Sequence, residues 1–428
     1  MILKSLEPEV DDHEYGEIYP RYGGQSLANV PHTIAEVLGA KGNGMPIDRR
    51  LYGGRVDLEG IRKVVLILLD GLGYTMWLDA QGQRGFFRDM SRKGTVMPIT
   101  SVFPSTTAAA VTTMSTGLTP VEHGLPEWVL YLHELGLTIN TLPFTKLESD
   151  RRVSLKDEGA DPRILFRGNT LYNDLARQGI ESYSLINRAL MNSEYTKLIR
   201  KGSSVRPFVY ATDGAIKLRE LARTARKGSY VNMYIDTIDS VTHAYGPFTE
   251  ESRATIASIS STLKSQFLDM VDWADTEDTL VMVTADHGHT AIDPKKVVYL
   301  DGDMELLGFL ATDRGRRIPP TGSPRGVFMH IRRSCIDSAY SHLQKNYSDI
   351  ARVIRTSDAI RMGLFGSGRP SRAFLRRAGD MLLLPMEGKA IWYEHVKGRK
   401  ERAIGVHGGM TRNEMLVPLG MARLSSLL

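Results

Sequence analysis

At 428 residues and 47.7 kDa the chain has room for one large α/β domain with a sizeable insertion, or for two domains. Its 42% hydrophobic and 24% charged residues suit a globular protein, and no run of about 18 apolar residues offers a membrane span. The formal charge of +5 fits anionic small molecules but does not single out nucleic acid, and the lone cysteine, Cys335, excludes an intrachain disulfide framework.

Residues 1–60 are rich in Gly, Pro and Tyr and hold one helix-like piece, VPHTIAEVLGA, closed at Gly39, so they are expected to form an arm packed on a core. The N-terminus turns acidic early and has no long apolar stretch, which leads to an expectation of a cytoplasmic protein. From Val64 short apolar runs alternate with helical patterns: VVLILLD, a helix across Tyr74 to Met90, TVMPITS, a helix from about Thr107, another at TLYNDLARQG, then IESYSLI. A helix at DGAIKLRELARTARK, the strand VNMYID, a long amphipathic helix over ESRATIASISSTLKSQFLDMVDWA and the strand TLVMVTAD follow. This alternation predicts a mostly parallel sheet with helices on both faces. Later, GVFMHIRR and DMLLLPME read as short strands and Asp337 to Lys345 as a helix; Cys335 falls near its start, half-buried. The expected division is a core of 61–295 and 400–428, with an α+β insertion, 296–399, over the carboxyl edge.

Three apolar stretches run to an aspartate, at Asp70, Asp239 and Asp286. Strand ends of a parallel sheet deliver such acids to the edge where ligands bind. His243 follows Asp239 by four residues, one helical turn, so both can face one ion, and His287 adjoins Asp286 on a tight turn. His407 stands apart in an HGG motif. Singly, each pair reads more readily as a satisfied Asp/His hydrogen-bonding couple; together they have the oxygen-plus-imidazole character of a two-metal site. In SVFPSTTAAAVTTMSTG, Pro104 and Ser105 precede an Ala-rich helix ending at Gly117, so Thr106 and Thr107 fall in its first turn. Threonines there are usually caps, but the positive end of the helix also favours a phosphate and an ionised alkoxide.

The order DG, a threonine at a helix start with TG and HG behind it, DSxxHxYGP, ADHGH and HGG resembles the alkaline phosphatase superfamily, and within it the type I phosphodiesterase and nucleotide pyrophosphatase branch. The resemblance covers about residues 60–290 and 400–420. It implies one metal on Asp239, His243 and His407, and a second on Asp70, Asp286 and His287 completed by the nucleophile oxygen. Counting nine residues back from Thr116 places that nucleophile at Thr107, with Thr106 as the alternative. The branch's phosphoryl-binding asparagine falls on Trp128, which departs from the pattern.

The expected activity is two-metal phosphoester hydrolysis through a phosphothreonine, on a phosphodiester or nucleotide pyrophosphate. Imidazole and carboxylate donors without sulfur favour two Zn²⁺ ions, with Mn²⁺ as the alternative. A phosphomonoesterase or phosphomutase is the rival among enzymes, and a catalytically silent binding module the rival outside them. Arg369 and Arg372, in the basic stretch RPSRAFLRR, would favour monoesters if they fold over the site; KGRKER, 397–402, reads as a solvated basic face.

Overall fold

The computed structural model describes residues 1–42, 44–82, 84–148, 153–226, 228–272 and 276–428. Seven strands form the central sheet in the order Thr95–Thr100, Leu416–Arg423, Thr279–Thr284, Lys63–Leu69, Ser229–Ile235, Glu181–Asn187, Ser204–Phe208. All run parallel except Leu416–Arg423, which is antiparallel to both neighbours. Lys63–Leu69, KVVLILL, is buried along its whole length, as a central strand covered on both faces must be. Pro98 is tolerated because Thr95–Thr100 is an edge strand, and the arm covers that edge through hydrogen bonds between Met1–Leu3 and Val96.

Helices pack in two groups. Phe86–Lys93, Ala211–Thr224, Thr237–Tyr245 and Glu250–Gln266 form one; Val30–Val37, Thr107–Thr116, Leu171–Ala176 and Glu194–Ile199 form the other. Two differences from expectation stand out. The helix across Tyr74 to Met90 is two, Tyr74–Ala80 and Phe86–Lys93, broken before Gly85, whose φ of +152° leaves its helical range. The long helix ends at Gln266, where a separate 3-10 turn, Leu268–Met270, replaces its expected continuation; the last expected positions, Trp273 and Ala274, like Lys227 at the end of the preceding helix, lie outside the described residues. Cys335 is half-buried at the start of Ile336–Tyr347.

A second, wholly antiparallel sheet has the order Ala351–Arg355, Met381–Pro385, Gly326–Met329, Thr321–Ser323, Val129–Leu132, Leu137–Asn140, Thr145–Lys146. Three of its strands come from 129–146, so the layer draws on the middle of the chain as well as on the 296–399 stretch. It is tied to the core by a fully buried ion pair: Arg325 Nε donates to Glu414 Oε1 at 3.0 Å and Nη2 to Oε2 at 2.9 Å. Glu414 in turn accepts from the Gly409 amide, two residues past His407.

Candidate metal centre

Register explains why distant acids meet. Leu68 lies beside Thr284 and Leu69 beside Ile235 in adjacent parallel strands, so Asp70 and Asp286, each two residues further on, emerge side by side. The third strand stops at Ile235, and Asp239 sits on the first turn of Thr237–Tyr245 with His243 one turn later. Gly71, at φ +78°, makes the tight exit after Asp70; a Cβ there would stand 2.5 Å from His289 and 3.0 Å from the Asp239 backbone. His407 is delivered by Gly405–Val406, paired with Thr290–Ala291.

The residues singled out in the sequence converge. His287 Nε2 lies 3.4 Å from Asp70 Oδ1, 3.5 Å from Asp286 Oδ2 and 3.2 Å from Thr107 Oγ1. Asp239 Oδ1 is 3.2 Å from His243 Nε2 and 3.7 Å from His407 Nε2. His289, which the spacing arguments passed over, is fully buried with Nε2 3.1 Å from the same oxygen. Its signal was in ADHGH: His287 and His289 are two apart on extended chain just past a strand, where alternate side chains share a side. Tyr234 was also missed; its buried phenol donates to Asp70 Oδ2 and leaves Oδ1 pointing at the cluster.

All four imidazoles are held the same way. Nδ1 of His243, His287, His289 and His407 meets the backbone carbonyl of Gly405, Gly288, Gly71 and Ser105, at 2.7, 3.1, 3.2 and 3.0 Å. A carbonyl only accepts, so Nδ1 carries a hydrogen in every ring, and Nε2 is the nitrogen each ring turns inward, a bare lone pair wherever the ring is neutral. Burial keeps His287 neutral, down at about 3, and holds His407 well below its usual range. Asp70 Oδ1, Asp239 Oδ1, Asp286 Oδ2 and His289 Nε2 are buried without a hydrogen-bond partner. Burial, then mutual repulsion, raises Asp70 far above the usual carboxylate range, and burial pushes Asp286 up to about 6. Against burial, His243 is lifted to about 9 by Asp239, which its histidine neighbours hold low. Lone pairs and orphan oxygens facing one another are costly unless cations lie between them. Asp70, Asp286 and His287 form one mutually close donor set; Asp239, His287, His289 and His407 form another.

Thr106 and Thr107 have separate jobs. Thr106 is the N-cap of Thr107–Thr116: its Oγ1 accepts from the Ala109 amide at 3.4 Å and donates to the Pro126 carbonyl at 3.2 Å. Thr107 instead turns its hydroxyl to His287. Ala109 and Ala110 amides bond back to Thr106, so the positive end of the helix is presented through Thr107 and Ala108, both lining a cavity of about 460 Å³. Asp239, His243 and His407 floor this cavity, and Trp128, Asn140, Leu147, Ser323 and Trp392 roof it. Trp128, 42% exposed, donates from its indole to Asn140 Oδ1 at 3.1 Å. Arg369 and Arg372 are exposed, and neither lines it. A larger cavity, about 760 Å³ around His32 at the far end of the same helix, has no such convergence of acids and imidazoles.

The profile of the type I phosphodiesterase/nucleotide pyrophosphatase family matches residues 64–410. The chain belongs to that family. It is accordingly a metal-dependent phosphoester hydrolase, on an alkaline phosphatase-like fold. No curated protein matches it at a significant level. Among solved structures it is similar to murine ectonucleotide pyrophosphatase/phosphodiesterase 5, with TM-score 0.62 and 16% identity over 84% of this chain and 88% of that one. An inactive variant of that protein, threonine replaced by alanine, is similar to the same extent and was solved with AMP. Phosphonoacetate hydrolase from Sinorhizobium meliloti 1021, in complex with phosphonoformate, gives TM-score 0.58 and 16% identity over 87% of this chain and 94% of that one. Among the described residues no helix is long and apolar enough to cross a membrane.

Proposed function

We propose that this family member is a two-metal phosphodiesterase whose nucleophile is Thr107. The observation that carries the reading is the four-fold Nδ1-to-carbonyl arrangement, which aims the Nε2 atoms of four imidazoles at the buried carboxylates beside the Thr107 hydroxyl. Asp70, Asp286 and His287 would hold one divalent ion next to Thr107, and Asp239, His243 and His407 the other, with His289 as an added donor that the spacing did not suggest. Zn²⁺ suits these donors, and Mn²⁺ is the alternative. Bound there, the ions lower the pKa of the threonine hydroxyl and stabilise charge on the leaving oxygen.

Thr107 Oγ1 attacks phosphorus in line as its proton departs, the bond to the leaving oxygen breaks, and a phosphothreonine results. Water then attacks phosphorus from the vacated side, releasing Thr107. The helix start stabilises the phosphoryl oxygens, and Thr106 fixes that start. The inactive threonine-to-alanine relative solved with AMP supports both a threonine nucleophile and a nucleotide-like substrate. Among the described residues no arginine or lysine lines the cavity, so the second charge of a phosphomonoester meets no cationic side chain there, which favours diesters.

Metal analysis combined with nitrophenyl esters tests the reading. About two ions per chain are expected, with bis-p-nitrophenyl phosphate turned over at higher kcat/KM than p-nitrophenyl phosphate. Absence of metal with activity indifferent to chelator would sink the two-metal reading. A monoester preference of about tenfold, about 1.4 kcal/mol in transition-state stabilisation, would reassign the chain as a phosphatase.

A further inference from the structure

The catalytic cavity continues. Leu147, Trp392 and Glu401 wall both it and a second cavity of about 170 Å³, whose other lining includes His395, Arg399 and Lys400. The basic stretch KGRKER therefore opens beside the metal centre. Residues 397–402 carry four cationic side chains and one carboxylate, Glu401, whose Oε1 accepts from the amides of Arg402 and Ala403, each at 2.7 Å. Lys400 is exposed, and its ammonium lies 5.3 Å from the centre of the Tyr299 ring, whose hydroxyl accepts from the Glu401 amide at 2.9 Å. Among the described residues no carboxylate pairs with Lys400. His395 packs against Trp392 at 5.3 Å between ring centres, and its Nε2 is buried without a hydrogen-bond partner.

Position along the reaction axis assigns this cavity a role. Thr107 stands by His287, whereas the segment that carries Glu401 runs beside His243: the Ile404 amide donates to the His243 carbonyl at 2.8 Å, and Glu401 lines the cavity together with Asp239 and His243. An in-line displacement expels its leaving group opposite the nucleophile, over Asp239 and His243 and toward Trp392.

We propose that the smaller cavity is a leaving-group subsite for an anionic group, phosphate or carboxylate, carried on a planar body that lies against Trp392. The preferred substrate is then a phosphodiester whose leaving alcohol bears a second negative charge. This rests on the reading of Thr107 as nucleophile and sharpens it from a reaction class to a substrate class. Lys400 recognises the distal charge, and His395 offers its ring nitrogen, Nε2, as a further polar contact.

Three methyl aryl phosphodiesters differing only in the para substituent of the leaving phenol test it: carboxamide, carboxylate and phosphonate. Wild-type kcat/KM is expected to favour the charged leaving groups, and Lys400→Ala to shrink the charged-to-neutral ratio by about tenfold, a comparison between proteins in which intrinsic reactivity cancels. Binding of free 4-hydroxyphenylphosphonate, followed by quenching of Trp392 fluorescence with Trp392→Phe as the blank, needs no turnover, and Lys400→Ala is expected to raise its Kd about tenfold. Hydrolysis of all three esters with a ratio unmoved by Lys400→Ala, and a phosphonate Kd equally unmoved, would overturn the subsite while leaving the hydrolytic reading intact. Lys400-dependent phosphonate binding by a wild-type protein that cleaves none of the esters would support the subsite and overturn the hydrolytic reading instead.

Discussion

The floor and the roof of the catalytic cavity are built on different principles. The floor is made where three neighbouring strands of the central sheet end, so hydrogen-bond register alone brings Asp70 beside Asp286 and the Asp239 helix over them. The roof comes from an antiparallel sheet and late loops, whose contributors, 128–147, 321–324 and 390–406, meet only through tertiary packing. The floor holds nearly all the ionisable chemistry; the roof offers indole, amide, hydroxyl and apolar surface. Bonds are broken on the floor, and the roof decides which molecule is presented to it. Variants of the two should therefore fail differently, in kcat below and in substrate ratios above.

The largest effect is expected at the boundary of the floor. Thr107→Ala should lower kcat by about a thousandfold or more with metal content retained, because the attacking atom is gone while the carboxylates and imidazoles remain. Thr106→Ala removes a helix cap instead, costing about 1 kcal/mol of stability and far less activity. Steady-state kinetics beside thermal unfolding separates the two. Equal, mild losses from both variants would mean that water attacks directly.

Next come the metal donors. His289→Ala is expected to weaken metal binding by about a hundredfold and Tyr234→Phe by about tenfold, the second because a carboxylate ligand loses the hydrogen bond that orients it. Equilibrium dialysis against a competing chelator reads both directly. Native affinity in His289→Ala would return that ring to a purely structural role.

The same contrast governs what the sequence made legible. The sheet and the floor were readable because VVLILLD and VMVTADHGH each join a buried strand to its functional residue within a few positions, and local pattern carries the geometry. The resemblance singled out Thr107 by its nine-residue spacing to Thr116, whereas helix-start chemistry alone suited Thr106 equally; the physical division of labour became visible when Thr106 was seen capping Ala109 and Thr107 facing His287. Tyr234 was hidden because an aromatic residue in a buried strand reads as core. The roof was illegible for a deeper reason: Trp128, Asn140, Ser323 and Trp392 belong to no shared motif, and the three strands of 129–146 join the rest of their sheet through the single pairing of Val129 with Gly322.

Metal uptake by the floor should depend on pH with a definite sign. Without metal, burial raises Asp286 to about 6, and Asp239 lifts His243 to about 9. Either proton must leave before the group can hold a cation, so binding releases protons and weakens as pH falls. Affinity for Zn²⁺ is expected to rise by about a hundredfold or more from pH 5 to pH 7, since the His243 proton must leave throughout this range and each unit of pH changes affinity by about tenfold per proton released. A flat profile measured with a pH-insensitive chelator would contradict the protonated His243 and Asp286 of the metal-free cluster.

The smallest effect is expected in the roof, where an amide stands close to the position at which the family's asparagine was sought. Trp128 occupies that position, but its indole donates to Asn140 Oδ1, so the amide hydrogens of Asn140 are the donors left over, only a weak 3.4 Å contact to Thr145 Oγ1 drawing on them. Both residues line the cavity with Thr107. Asn140→Asp keeps the shape and replaces a donor by a charge that repels a phosphoryl oxygen; it should lower kcat/KM for bis-p-nitrophenyl phosphate by about tenfold to a hundredfold, the scale of one lost oxyanion contact. Trp128→Phe keeps the ring and frees the amide to rotate, so a loss of only about threefold is expected, because orientation is weakened but the donor survives. The order of the two is what matters. If Trp128→Phe were the more damaging, the indole would be the group that meets the substrate, and the roof would act through aromatic contact rather than through an oriented amide.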